Sequence, residues 1–286
     1  MAPGVFRVRP LLFEATASYL QRLAGAYRLT LPQLLDGSGI TVHGHGTSPA
    51  AGLYLTPGAA HRAAVLGRIP LAHLTHALPH LTHHSRPGPG PAAAYWKPLD
   101  PEHQPVAACA LCTWHRSRGA TGTAWVHRPW HLLVCPRHRQ AAPDPRLTST
   151  LHTPAVPELI TAHHAHQRLQ RHPRAPSAWM TARAITTRWY DHQQHLTGRW
   201  QHRLGRLVTD NTHLGRAGTV SAVLMARDLV IYPETVALAR TLATLPHTRQ
   251  PRTGDLLGMI AHRLKLDTLP PTTSDPLTVY LTHTRP

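Results

Sequence analysis

Carboxylates are scarce in this chain, and so are lysine, phenylalanine and cysteine. Thirteen Asp and Glu stand against 30 Lys and Arg, a formal charge of +17 with the 25 histidines neutral. Four Glu and nine Asp, scattered, argue against an acidic calcium binder and against the three metal-binding carboxylates of a DDE transposase. No G-x-x-x-x-G-K-[ST] loop occurs, which removes P-loop ATP hydrolysis, and no H-x-E precedes the paired cysteines as a zinc deaminase requires. Two Phe and few β-branched runs leave little material for long sheets. The longest apolar stretch, around Ala217 to Ala226, falls short of the ~18 to 20 residues of a spanning helix. Near the start, Glu14 interrupts Leu11, Leu12 and Phe13 before they reach the ~7 apolar residues of a secretory core. The expectation is a protein with no membrane partner, cytoplasmic and nucleoid-associated.

The charge that is present is almost all arginine, since Lys97 and Lys265 are the only lysines. Together with abundant Ala, Pro, His and Thr, this suits GC-rich codons, so composition supplies part of the surplus. The remainder is the electrostatic footprint of a polyanion binder, with DNA the expected partner. A hydrophobic content of 42% is enough for a core, while 28 Pro and 19 Gly cut the chain into short elements. The expected fold is mostly α.

Three parts are expected. Residues 1–90 read as an N-terminal helical region with a helix-turn-helix outline, 91–147 as a Trp-rich zinc-binding module, and 148–286 as a basic helical region. Ser18 with Gln21, and Thr30 with Gln33, have capping-box spacing, and Leu29 and Leu34 stand where a hydrophobic staple would sit. Thr56 and Pro57 open another helix that Gly67 stops; Leu71, Leu74 and Leu78 stripe the next, so residues 56 to 78 outline a helix-turn-helix. His83 to Pro91 reads as a linker.

All three cysteines lie in one pattern: Cys109-x2-Cys112, 22 residues, Cys135-x2-His138. Two such knuckles supply the four donors that structural Zn²⁺ takes in tetrahedral geometry. His115, His127 and His131 are nearby alternatives to His138, though only His138 keeps the knuckle spacing. Trp96, Trp114, Trp125 and Trp130 are expected to form the module's core, with a base-stacking platform as the alternative.

These residues resemble the TniQ family of transposition proteins over most of residues 10 to 170. The likeness is carried by Ser18-Tyr-Leu-Gln-Arg-Leu-Ala24 with Leu31-Pro-Gln-Leu-Leu35, by Ile69-Pro-Leu-Ala-His-Leu-Thr75, and by Ala108-Cys-Ala-Leu-Cys112, Trp125, Trp130 and Val134-Cys-Pro-Arg-His138. Pro154-Ala-Val-Pro-Glu-Leu-Ile160 looks like the actinomycete branch. Ala110 stands where the family usually has proline, the further C-x2-C pair of many members is absent, and residues 180 to 286 match no motif. The resemblance implies a non-catalytic target-selection protein that binds DNA and engages an AAA+ transposition ATPase, with some members riding on an RNA-guided complex.

Beyond the knuckles, eight arginines against Asp191 between His163 and Arg206 give that window +7. Trp189, Leu196, Trp200, Leu204 and Leu207 suggest one apolar helical face, leaving arginines free for phosphate. Candidate nucleic-acid contacts are therefore Arg62 and Arg68 in the helix-turn-helix outline and Arg183, Arg188, Arg199, Arg203 and Arg206 on the basic helices. Tyr232-Pro233-Glu234 is expected to begin a further helix with proline in its first turn. Two other functions stay open: a stand-alone regulator or degenerate transposon-derived protein, and an HNH-type nuclease using His127 or His131 as base.

Overall fold

The computed structural model describes residues 4–82, 91–117, 121–147, 149–215, 222–245, 253–270, 272 and 274–283. The proposed linker from His83, except Pro91, and the first part of the apolar run at Ala217 lie outside the described residues. The described chain is mostly helical with a few small sheets. By contact it groups into two units, Met1–Trp130 with Gln140–Thr150, and His131–Arg139 with Leu151–Pro286.

The first unit opens with an extended segment and then α1 (Thr16–Ala26) and α2 (Leu31–Gly37). Thr30 and Gln33 form the expected capping box, each side chain bonding the other's backbone N–H. Ser18 does not cap: α1 begins two residues earlier, and Ser18 is buried inside it. Leu29 stays 41% exposed, so the staple is not buried against Leu34.

Next come β1 (Thr41–His43), β2 (Ala51–Leu55), α3 (Pro57–Gly67), α4 (Leu71–Ala77) and β3 (Ala93–Pro98). Strand β3 is central, parallel to β1 and antiparallel to β2. It follows the boundary expected at residue 90, yet it pairs with strands that precede it. Thr56 caps α3 by accepting from Ala59 N–H, with Pro57 in the first turn. Gly67 is the last residue of α3 rather than its left-handed stop. A Cβ there would stand 2.2 Å from the Tyr19 hydroxyl, so glycine serves close approach, while Arg68 takes the left-handed conformation at φ 52°. Helix α4 runs seven residues and buries Leu74 and Ala77, packing that any helical hairpin shows. Tyr19, Leu20, Leu23, Leu35, Leu53, Leu74 and Leu78 make the main core of this unit.

The same unit continues with β4 (Val106–Ala107), α5 (Ala110–Arg116) and β5 (Trp125–Val126), β4 and β5 pairing antiparallel. Their small core is Leu11, Ala108, Ala124 and Val126, not tryptophan. Trp114 is 54% exposed, and Trp96 packs on the main core instead. The fully buried tryptophans are Trp189 and Trp200, in the second unit.

That unit contains β6 (Val134–Cys135), α6 (Glu158–Leu169), α7 (Ala175–Asp191), α8 (Thr197–Asp210), α9 (Ala222–Thr244), α10 (Thr253–Leu264) and α11 (Pro276–His283). Helix α9 packs against α6, α7, α8 and α10. Its residues are apolar nearly all round, as a central helix requires. It runs straight through Pro233 instead of starting there. Proline removes the donor that would meet the carbonyl of Leu229, and one residue further on Arg203 Nη1 donates to the carbonyl of Val230. The apolar pattern from Trp189 to Leu207 belongs to two helices, not one. Gln193 and His195 adopt positive φ (52° and 55°) between α7 and α8, which breaks the helix there.

Candidate metal centre and basic groove

Cys109 is the N-cap residue of α5, and Cys112 lies in its first turn. A helix N-terminus carries partial positive charge and unpaired N–H groups, which favours thiolate over thiol. Cys135 ends β6, and the turn after it returns His138 Nδ1 to 3.7 Å from Cys135 Sγ. The donor atoms of Cys109, Cys112, Cys135 and His138 all lie within 4.8 Å of one another. Tetrahedral Zn–S bonds of ~2.3 Å put sulfurs about 3.8 Å apart, so small adjustments complete the shell. Among the described residues this is the single such grouping of three or more metal-binding side chains. His138, and not His115, His127 or His131, is the histidine of that grouping. His115 is exposed on α5, and His131 faces the ring of His166 at 6.1 Å.

Cys109 is buried, and its sulfur lies 3.1 Å from Gln140 Oε1, which also receives the Thr150 hydroxyl at 3.0 Å. A metal-bound thiolate cannot donate. Turning the Gln140 amide over presents its NH₂ group to both partners, one hydrogen to the sulfur and one to the Thr150 oxygen. Gln140 is thereby suited to support a charged Cys109, as outer hydrogen bonds do in metal sites. The site can hold a metal ion such as zinc.

The residues that carry the sequence resemblance have a structural role of their own. Glu14 is fully buried and accepts from Leu11 N–H (2.8 Å), Ser18 Oγ (3.0 Å), Arg22 Nε (2.8 Å) and Arg22 Nη2 (2.6 Å). Ser18 Oγ in turn accepts from Trp125 N–H at 2.9 Å. This network fastens α1 to β5, beside the helix that bears the first two cysteines. Glu14, met in the sequence only as a break in an apolar run, is its hub.

The arginines divide sharply. Arg203 is corrected as a phosphate contact. It is 3% exposed, paired with Glu234 at 2.8 Å and Glu158 at 3.1 Å, because burying a guanidinium requires an opposite charge. Arg183 pairs with Asp228 at 3.1 Å, and Arg206 approaches Glu158 at 3.7 Å. Arg199 donates to the carbonyls of Leu264 and Lys265 at the end of α10. Arg62 donates to the carbonyls of Ser38 and Gly39. Arg188 is exposed. The stripe of +7 is therefore largely met by acids and carbonyls from other parts of the second unit.

Arg68 lies elsewhere, on a groove of about 1090 Å³ in the first unit. Arg7, Arg9, Arg22, Arg68 and Arg116 line it with His73 and His115, and no carboxylate does; of the five, Arg22 is held by buried Glu14. The extended segment that brings Arg7 and Arg9 is pinned in place. Gly4 N–H donates to Val65 O, Tyr19 Oη to Val8 O, and Arg22 Nη2 to Arg9 O, while Phe6 meets Tyr27 edge-on at 5.2 Å. Arg116 comes from α5, two turns at most from the cysteines, and Trp114 and Leu111 stand exposed on the same helix. Sequence counting missed this groove because its arginines come from four separate segments. The one available signal was Arg7 and Arg9 alternating with apolar residues in an extended run.

His127 is half-buried, its Nδ1 3.2 Å from the His103 carbonyl and its ring 4.3 Å from that of His80. Burial, reinforced by His80, pushes its pKa down to about 4. Burial lowers His131 as well. No family model, no curated protein and no solved structure matches the chain.

Proposed function

We propose that this chain is a zinc-containing, non-catalytic DNA-binding adaptor. In keeping with its resemblance to the TniQ family, it would help select transposition targets by linking DNA to an AAA+ transposition ATPase. The acid-free basic groove carries the DNA-binding part. Besides Arg22, which Glu14 holds, four arginines face one surface with no carboxylate among them, whereas Arg183, Arg199, Arg203 and Arg206 of the second unit each lie within 4 Å of a carboxylate. A helix that starts in the metal knuckle supplies one of the four, so zinc would support the groove wall through α5.

A non-catalytic role is supported by the weakened histidines. A general base works best with a pKa near the working pH; burial takes His127 down to about 4 and lowers His131 as well. Zinc is structural here because four protein ligands leave no open position for substrate or water.

The test is binding of duplex DNA by the zinc-loaded protein across a salt series. Affinity should fall steeply with salt, and removing Arg7, Arg9 or Arg116 as alanine should each reduce the slope of log K against log[salt] by about one. Arg68→Gly should do the same without loss of fold, since glycine suits the left-handed backbone at that position. Salt-independent binding, no binding to any duplex, or an unchanged slope in all four variants would refute the groove as the interface.

A further inference from the structure

The second unit contains another surface on which arginines are left without acids. A cavity of about 260 Å³ is lined by Arg168, Leu169, His172, Arg240, Met259 and Arg263, together with small residues of α9. No carboxylate lines it. Among the described residues, Arg168, Arg240 and Arg263 enter no ion pair, in a unit whose Glu158, Asp191, Asp228, Glu234 and Asp275 are all paired.

Helix dipoles account for part of this. Arg168 and Arg263 occupy the last turns of α6 and α10, where each helix end contributes roughly half a negative charge. Arg240 stands a turn before the end of α9. Three full positive charges against about half a charge per helix end leave the cavity positive. An anion of charge near −1.5 to −2, such as a phosphate group, matches what is left.

Behind the cations the lining mixes apolar Leu169, Ala243 and Met259 with Thr241 and Thr244. Leu169 is 6% exposed and Ala243 fully buried, while Met259 is 42% exposed and presents a polarisable thioether. His172 Nδ1 accepts from the Arg174 N–H, which leaves Nε2 for a ligand. The volume is at the small end of ligand cavities, typically ~300 Å³ and above. A charged group on the arginines and one flat ring against methionine and the edge of leucine would fill it.

We propose that this cavity is a binding site for a single nucleotide unit, its phosphate held by Arg168, Arg240 and Arg263 and its base laid on Met259 beside Leu169. The site belongs to the second unit and does not rest on the groove of the first. The phosphate comes either from a free nucleotide or from one residue of an unpaired strand.

Calorimetric titration of the full chain with adenosine monophosphate, adenosine, inorganic phosphate and a short single-stranded oligonucleotide tests it. Adenosine monophosphate or the oligonucleotide should bind at least about tenfold more tightly than adenosine and than inorganic phosphate, as charge-assisted contacts and base burial together require. Binding of the mononucleotide marks a free nucleotide as the source, and binding of the oligonucleotide alone marks a strand. Arg240→Gln with Arg263→Gln should abolish that preference, with the circular dichroism of the variant unchanged because both residues are exposed. Arg7→Ala with Arg9→Ala should leave mononucleotide binding intact, separating this site from the groove. Adenosine binding as tightly as its monophosphate, no binding of either probe, or binding unaffected by the double Gln variant would overturn the proposal.

Discussion

Arg203 shows how little a residue's type says about its role. In the chain it is one of eight arginines in a basic window, yet its partners Glu158 and Glu234 lie 45 and 31 residues away. Local charge counting could not find them. Removing one partner of a buried ion pair leaves the other charged and unsolvated, so Arg203→Ala should lower the free energy of unfolding by about 3–5 kcal/mol in a denaturant titration. Exposed Arg188→Ala should stay within about 0.5 kcal/mol. Equal, small effects in both would mean that the buried network is not formed. By contrast, the grouping of Cys109, Cys112, Cys135 and His138 was legible at once, because donors able to share a metal must be close in space and short spacings achieve that locally. The pairing of Ser18 and Arg22 with Glu14 was half legible: the motif was visible, but its buried acid was not.

At the scale of elements, caps with a chemical signature were readable and interruptions were not. Thr30 with Gln33 and Thr56 with Pro57 mark helix starts through side-chain hydrogen bonds and a fixed φ, and both occur as expected. Ser18 has the same spacing, yet burial of its hydroxyl against Glu14 and Trp125 overrides the capping role. The break between α7 and α8 carries no glycine or proline; Gln193 and His195 take left-handed conformations there. His195 is repaid by a 2.7 Å contact with Asp275, but Gln193 is exposed. Gln193→Gly should therefore raise stability by about 0.5–1 kcal/mol in thermal melts, since only glycine adopts this conformation without strain. A loss of stability would show that the side chain itself holds the corner. Pro233 misled in the opposite direction. A central helix packed by four neighbours tolerates an internal proline that an isolated one would not.

For the molecule as a whole, the mostly helical class followed from composition, while the distribution of charge did not. A surplus of +17 pointed to a polyanion but not to a place. Folding pairs Arg183, Arg199, Arg203 and Arg206 of the densest basic window with intramolecular acids, while among the described residues no carboxylate lines the groove around Arg7, Arg9, Arg68 and Arg116 or the smaller cavity around Arg168, Arg240 and Arg263. Among the described residues, no helix is long and apolar enough to cross a membrane. The proposed function joins the groove to a metal knuckle through α5, so it depends first on that metal. X-ray absorption at the zinc edge of the purified full chain tests this directly. One zinc per chain is predicted, with three sulfurs at about 2.3 Å and one nitrogen at about 2.0 Å, and Cys135→Ala should abolish that shell. Protein without zinc, or with zinc in a shell of oxygen and nitrogen that survives Cys135→Ala, would contradict the account.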